Sequence, residues 1–251
     1  MKLNKLALIL PLFMALKINA QSPAMKWNEY ANAVRNQTIT KEVAKLQLEP
    51  LMKELSGYMK DYPFDCGEWA FPLKGYSKSS MDKRDFRPNI NYGPYDKRGY
   101  DYFDGGKSGG HPAYDIFIRD KNLDCLDDRT KKPVEVIAVT DFMIVSTNDE
   151  WDLNNNGVFD KGDVRGGKYI SAYNPKINKY FIYSHLNDIS VKIGDFVRKG
   201  QTIGLLGRTG SAATPSEKRY DRKPCPTHLH FAVLEYKNSA MQPFNYYSKL
   251  K

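Results

Sequence analysis

The sequence predicts a mainly β protein with an antiparallel sheet at its core, an N-terminal helical extension and long surface loops. Three observations lead to this prediction. Short apolar runs such as YDIFI, FMIVST and YFIYSHL recur in the second half of the chain, and Gly, Asn, Asp and Pro separate them. Residues 21–62 instead carry apolar side chains near helical spacing. Residues 74–110 are rich in Gly, Tyr, Asn, Lys and Arg without periodicity, which is typical of loops.

The first segment, residues 1–20, has the layout of a secretory signal peptide. A basic start, MKLNK, precedes the apolar run LALILPLFMAL, and the small residue Ala20 stands before Gln21. The run is too short to span a bilayer. We therefore expect an exported protein, periplasmic or secreted, without a membrane span.

Two further segments follow the signal peptide. Residues 21–62 form the helical extension, in which Pro50 is expected to break the helix or to begin a second one. Residues 63–251 form a single β-rich domain. The sequence leaves open whether the helices inhibit this domain, and it favours a monomer.

Charge and cysteine content narrow the class of protein. Loss of the three lysines of the signal peptide lowers the formal net charge from +9 to +6, which favours anionic partners such as cell-wall polymers. Export argues against nucleic acid as a partner. Cys66, Cys125 and Cys225 enter an oxidising compartment, where one disulfide and one thiol is the simplest outcome, with the pairing left open.

The stretch THLHFAVLE contains two histidines, His228 and His230, separated by one residue. Its alternating pattern predicts a strand, on which side chains two residues apart share a face. The sequence therefore predicts two imidazoles side by side on one surface of a sheet.

Two other motifs carry the remaining histidines. GGHPAYD places His111 four residues before Asp115, and YSHL places His185 in a strand. Each motif alone also fits a hydrogen-bonded structural histidine. Together with the pair in THLHFAVLE they supply five groups, of which three can bind a metal and two remain for acid–base work, as a zinc hydrolase requires.

The order of these motifs resembles the lysostaphin/LytM-type zinc metallopeptidases. The segment ISVKIGDFVRKGQTIGLLGRTGS follows YSHL and precedes HLHFAV, and the resemblance covers roughly residues 105–235. It implies a duplicated-hybrid-motif or barrel-sandwich-like fold and a peptidoglycan endopeptidase that hydrolyses peptide bonds in stem peptides or cross-links. It also implies that His111, Asp115 and His230 bind Zn²⁺ and that His185 and His228 are catalytic, without deciding which is the general base.

The chain departs from the family pattern in two places. Pro-Ala-Tyr stands between His111 and Asp115, where the family usually has a glycine, and the small Ala113 is expected to preserve zinc binding. The link AATPSEKRYDRKPCPT before HLH is longer than usual and is expected to form a basic wall of the groove. Within it, Cys225 could place a thiolate on the open zinc position and hold the enzyme latent.

The segment DLNNNGVFDKGD resembles a calcium-binding loop in its spacing. Its oxygen-bearing side chains and its glycine occupy loop positions 1, 3, 5, 6, 9 and 12. They are Asp152, Asn154, Asn156, Gly157, Asp160 and Asp163. A polar loop between two strands and a structural Ca²⁺ site are both open interpretations, because position 12 is Asp rather than Glu.

Two functions compete with the peptidase. A catalytically inactive module on the same fold could bind cell wall or activate another hydrolase, but such relatives usually lack the metal ligands. VKIGDFVRKGQTIGLLG also resembles the half-barrel repeats of biotinyl and lipoyl carrier domains, which do not need the histidine motifs. The peptide bond that is cleaved stays open.

Overall fold

The computed structural model describes residues 21–35, 38–88, 111–150, 166–210 and 225–251. Within these residues, two helices precede nine strands. The helices are α1 (Pro23–Arg35) and α2 (Lys41–Tyr58). The strands are β1 (Ala113–Phe117), β2 (Glu135–Ile137), β3 (Phe142–Asn148), β4 (Lys168–Asn174), β5 (Lys179–Ile189), β6 (Phe196–Val197), β7 (Thr202–Leu206), β8 (His228–Lys237) and β9 (Ala240–Pro243).

The strands form one antiparallel sheet that does not close into a barrel. Its main path is β1-β8-β5-β4-β3-β6, with β9 paired to β8, and β7 paired to both β2 and β5. The predicted fold class, mainly β and antiparallel with a helical N-terminal extension, is confirmed. Strand β8 is central to the site because it pairs with β1 on one side and β5 on the other.

Alternating side chains of the strands pack into two hydrophobic cores on opposite faces of the sheet. Along β8, Leu229, Phe231 and Val233 belong to the first core, and Ala232 and Leu234 belong to the second. This is the period of two expected for a sheet that is covered on both faces. The first core is closed by residues before β1 and after β9, among them Trp69, Phe71, Leu73, Tyr246 and Leu250.

The two helices cover the second face. Trp27 of α1 is fully buried, and its indole N–H donates a hydrogen bond to the hydroxyl of Tyr180 on β5 at 3.2 Å. Ala232 faces the same core, and His230 lies two residues before it on β8. Since residues two apart share a face, the helices and the histidine pair lie on the same side of the sheet.

Helix α2 does not break at Pro50, contrary to the prediction from the sequence. It continues through Pro50 to Tyr58. A proline within a helix removes one backbone hydrogen bond, but burial of one helix face in the second core compensates for this loss. That buried face consists of Ala44, Leu48, Met52 and Leu55, and Met59 directly after the helix is buried with them. Not every apolar residue of the helix belongs to this face, since Val43 and Leu46 are 37% and 77% exposed.

The expected disulfide is not formed. Cys66, Cys125 and Cys225 all lie among the described residues, and all three are thiols. Cys66 lies at the end of β4, where its Sγ is 3.9 Å from Asn174 Nδ2. Cys225 lies at the other end of the sheet, 3.7 Å from His228 Nδ1.

Neither described helix has the length and apolar character needed to cross a membrane.

Candidate metal centre and active site

Strand pairing brings the predicted site residues together at one end of β8. The β1–β8 register places Asp115 opposite His230 and Phe117 opposite His228. His111 lies two residues before the start of β1 and four residues before Asp115. Residues that are more than 110 positions apart in the sequence thereby become neighbours across one strand pair.

Three of these side chains form a group that could hold a metal ion. Asp115 Oδ1 is 3.3 Å from His111 Nε2 and 3.1 Å from His230 Nδ1. The three ligand atoms all lie within 4.8 Å of one another. In a tetrahedral zinc site with bonds of about 2.0–2.1 Å, ligand atoms are about 3.3 Å apart. Both the spacing and the donor set, two imidazoles and one carboxylate, therefore fit Zn²⁺.

The electrostatics of this group also suit a cation. Burial disfavours the charged form of His111, but hydrogen bonds to Asp115 and Asp85 outweigh burial and raise its pKa to about 9. Burial likewise opposes ionisation of Asp115, yet hydrogen bonds from His111 and His230 hold its pKa well below the ordinary value. The centre thus keeps an ionised carboxylate and stabilises positive charge beside it.

The other two histidines lie next to this group. The ring centroids of His185 and His228 are 4.9 Å apart, and those of His185 and His230 are 6.0 Å apart. His228 Nε2 is 3.7 Å from Asp115 Oδ1. All five residues predicted from the sequence are therefore together in one site.

A bulge in β5 positions His185. The pairing of β5 with β4 skips one residue between Ser184 and Leu186, so His185 is the extra residue of a β-bulge. Its φ of 66° is unusual for a residue other than glycine. The Nδ1–H donates to the Thr209 carbonyl at 2.8 Å, which leaves Nε2 for the site. Burial lowers the pKa of His185 to about 3, so the ring is neutral.

A backbone carbonyl also orients His228. Its Nδ1–H donates to the Pro226 carbonyl at 2.7 Å, and the Sγ of Cys225 lies 3.7 Å from the same nitrogen. Burial opposes the charged ring, but the contact with Cys225 and the charge of Asp115 together raise the pKa of His228. Both histidines outside the metal group thus have Nδ1 held by backbone and Nε2 available.

Comparison with models of known protein families finds one match, which covers the part of the chain that contains β2 to β9. Residues 130–243 match the model of peptidase family M23. This segment belongs to peptidase family M23. The match includes His185, His228 and His230, and it begins after His111 and Asp115. Pairing of β1 with β8 is what joins these two residues to the M23 segment.

Solved structures show the same resemblance at low identity. The catalytic domain of lysostaphin from Staphylococcus simulans is 22% identical, with 75% of this chain and 92% of that chain covered and a TM-score of 0.36. A LytM protein of Ruminococcus gnavus is 22% identical (77% and 62% covered, TM-score 0.40). A zinc-containing peptidase of Vibrio cholerae is 16% identical (70% and 38% covered, TM-score 0.36). The chain spans less than two thirds of the length of the last two relatives.

A search of curated protein sequences finds no match to the chain. The resemblance to lysostaphin/LytM-type peptidases predicted from the sequence is confirmed at the level of the M23 family.

Asp85 supports the metal group and was not predicted. Its backbone carbonyl is 3.1 Å from His111 Nδ1, and its Oδ1 is 3.3 Å from the same nitrogen. Its Oδ2 accepts a hydrogen bond from the backbone N–H of Asp115 at 2.7 Å. Asp85 therefore directs His111 Nε2 toward the metal group. It lies in a loop before the M23 segment, and no spacing in the sequence relates it to the histidines.

Thr209 is a second residue that the sequence did not identify. Besides its carbonyl contact with His185, its hydroxyl accepts from the Lys168 N–H at 2.9 Å and donates to the Leu186 carbonyl at 2.9 Å. Gly167 makes this contact possible, since a Cβ there would lie 2.3 Å from Thr209 Oγ1. The RTGS motif and the start of β4 are thus held together around His185.

The calcium-loop motif, residues 152–163, lies outside the described residues, as do most of the long loop at 74–110 and the basic link before HLH. The predictions made for them stay predictions.

Proposed function

We propose that the protein is an exported, zinc-dependent endopeptidase that hydrolyses peptide bonds of bacterial peptidoglycan. One observation carries the proposal: His111, Asp115 and His230 form a zinc-type ligand group with His185 and His228 beside it, in a chain with an M23 segment. The inactive cell-wall module predicted as the alternative has no use for this complete set.

The proposed reaction divides the five residues into two roles. His111, Asp115 and His230 would hold Zn²⁺, and the bound ion supplies Lewis-acid activation of water and of the substrate carbonyl. His185 and His228 each present Nε2, which accepts a proton in the neutral ring and donates one in the charged ring. One ring takes the proton of the attacking water, and the other stabilises the developing oxyanion.

The proposed substrate and location rest on the family and on the sequence. Peptides of peptidoglycan suit a basic exported peptidase of this family, and the lysostaphin and LytM relatives act as peptidases by name. Export rests on the signal-peptide layout of residues 1–20, which lie outside the described residues. A monomer without nucleic-acid partners stays part of the proposal.

The decisive experiment separates metal loss from loss of catalysis. The chain without residues 1–20 is purified, its zinc content is measured by elemental analysis, and its digestion of purified peptidoglycan is followed. We expect about one zinc per chain. Replacing His230 with Ala should remove zinc and activity together, whereas His185→Ala should retain zinc and lose activity.

The two variants control for each other because both remove one imidazole from the same end of the sheet. A circular-dichroism melt of each excludes general unfolding. Equal loss of zinc in both would contradict the division of roles. An intact wild-type protein that binds no added zinc would refute the peptidase proposal and favour the non-enzymatic module.

A further inference from the structure

A groove opens beside the catalytic histidines and is built from residues outside the M23 segment. It is a shallow, open depression with a volume of about 720 Å³. The residues that line it are called the basic groove below. They are residues 78–84, Phe117 and Tyr247.

Phe117 connects the basic groove to the active site. It lies two residues after Asp115 on β1, so the two side chains share a face of the sheet. Phe117 is 40% exposed, and its ring centroid is 5.2 Å from that of His228. A peptide held at the catalytic histidines can therefore extend across Phe117 into the groove.

The groove carries unneutralised positive charge. Asp82 forms an ion pair with Arg84 at 2.7 Å, so these two charges cancel. Lys78 and Lys83 form no ion pair within the described residues, and their Nζ atoms lie 5.6 and 5.1 Å from the centroid of the Tyr247 ring. The ammonium groups of Lys78 and Lys83 thus both lie near the ring of Tyr247.

The position of this charge is fixed relative to the metal group. Tyr247 packs against Tyr114 of β1, with ring centroids 5.7 Å apart. The segment that carries the two lysines leads directly into Asp85, which contacts His111 and the backbone of Asp115. Because one short segment carries both the two lysines and Asp85, which contacts His111, the lysines are held beside the metal group.

We propose that the basic groove binds a carboxylate of the substrate peptide and selects substrates that keep this carboxylate free over amidated ones. The ammonium groups of Lys78 and Lys83 supply charge-assisted hydrogen bonds to the carboxylate. The rings of Phe117 and Tyr247 contact the apolar parts of the same peptide unit. The inference rests on the proposed function, since it assumes a peptide substrate at the histidines.

The test measures binding apart from cleavage. The probe is a synthetic peptidoglycan stem peptide whose peptide bonds are replaced by uncleavable ketomethylene groups, prepared with free carboxylates and with carboxamides. Titration calorimetry with the zinc-loaded protein should show about 10-fold tighter binding of the carboxylate form. The double variant Lys78→Met/Lys83→Met should lose this preference. Asp82→Asn, which releases Arg84 from its ion pair, should increase it.

Lys192→Met is the matched control, because Lys192 is an exposed lysine between β5 and β6, at the far edge of the sheet from β1. It should keep the wild-type preference. Equal affinity of the wild type for both peptides, no binding of either, or an unchanged preference in the double variant would each overturn the inference. Failure of the proposed function would appear separately, as zinc-loaded protein that leaves purified peptidoglycan intact.

Discussion

At the scale of single residues, Asp115 is the group around which the site is organised. Its Oδ1 lies within 3.7 Å of a ring nitrogen of His111, His228 and His230. Ligand histidines in metal sites depend on outer groups that hold the ring in one tautomer and orientation. Asp85 has this position behind His111, although it belongs to a loop before the M23 segment.

The first prediction concerns Asp85→Asn. The change removes the carboxylate that faces His111 Nδ1, so the ring is held less firmly and the affinity for zinc should fall about 10- to 100-fold. Competition with a chromogenic chelator measures this affinity directly. Activity in excess zinc should largely return, because Asp85 neither binds the metal nor contacts the substrate.

Asp82→Asn is the matched control on the same segment and should keep the wild-type affinity for zinc. An Asp85→Asn variant that holds zinc as tightly as the wild type would show that the backbone carbonyl of Asp85 alone orients His111.

At the scale of elements, the bulge in β5 decides where His185 points. Phe181 and Tyr183 alternate into the first hydrophobic core, and regular alternation would send His185 into that core as well. The positive φ of His185 and the extra residue in the register turn its ring toward His228 instead. Strain at such a position persists when the surrounding contacts determine it, and here Thr209 supplies them.

The second prediction tests these contacts with Gly167→Ala. Gly167 has a φ of +62°, and an added Cβ would lie 2.4 Å from the backbone nitrogen of Gly210. We expect a loss of about 3 kcal/mol or more in the free energy of unfolding, combining the cost of left-handed backbone with that of overpacking. Urea denaturation measures this loss, and kcat should fall because the Thr209 carbonyl moves away from His185.

Gly200→Ala separates the two costs. Gly200 also has a positive φ of +81°, but its Cβ would meet nothing within 4 Å. It should cost only about 1–2 kcal/mol and leave kcat unchanged. Equal effects of the two substitutions would mean that the Gly167–Thr209 contact does not position His185.

At the scale of the whole molecule, Asp141 joins three parts of the chain at the start of β3. Its carboxylate accepts backbone N–H bonds from Asp65 at 2.9 Å and Lys199 at 2.8 Å, and it pairs with Arg198 at 2.8 Å. Burial opposes ionisation, but these hydrogen bonds and the charge of Arg198 lower the pKa of Asp141 below its ordinary value. The charged form is therefore favoured by folding.

The third prediction is a pH dependence of stability. A carboxyl whose pKa is lower in the folded chain stabilises the protein above its unfolded pKa of about 3.9, and this stabilisation is lost as the pH falls through the folded value. Asp141→Asn should reduce the free energy of unfolding at about pH 7 by about 1–3 kcal/mol. It should also reduce the difference in stability between about pH 7 and about pH 3.

Chemical denaturation at the two pH values measures both effects. Asp188→Asn, which changes an exposed carboxylate on β5, is the control and should keep the wild-type difference. An Asp141→Asn variant with the wild-type difference would show that Asp141 does not link folding to protonation.

The sequence by itself predicted the fold class and the family resemblance, and it named the five residues that the structure brings together at one end of β8. Alternation in THLHFAVLE places His228 and His230 on one face because the period of a strand is a local property of the backbone. The order of the motifs around it predicted the resemblance to lysostaphin/LytM-type peptidases, which the match of residues 130–243 to peptidase family M23 supports. Local patterns also favoured a break at Pro50 and a disulfide, and both predictions were wrong. The burial of a helix face and the pairing of cysteines depend on the rest of the molecule, which a local pattern does not contain.

Only the tertiary structure decided how these residues meet. Asp115 faces His230 because β1 pairs with β8 in one register, and a shift of one residue would turn either side chain to the opposite face. A β-bulge turns the side chain of His185 toward the site, and no periodic pattern in the sequence predicts this bulge. Asp85 and most residues of the basic groove belong to one loop segment, which packs against β1. Such long-range contacts have no local signature in the sequence.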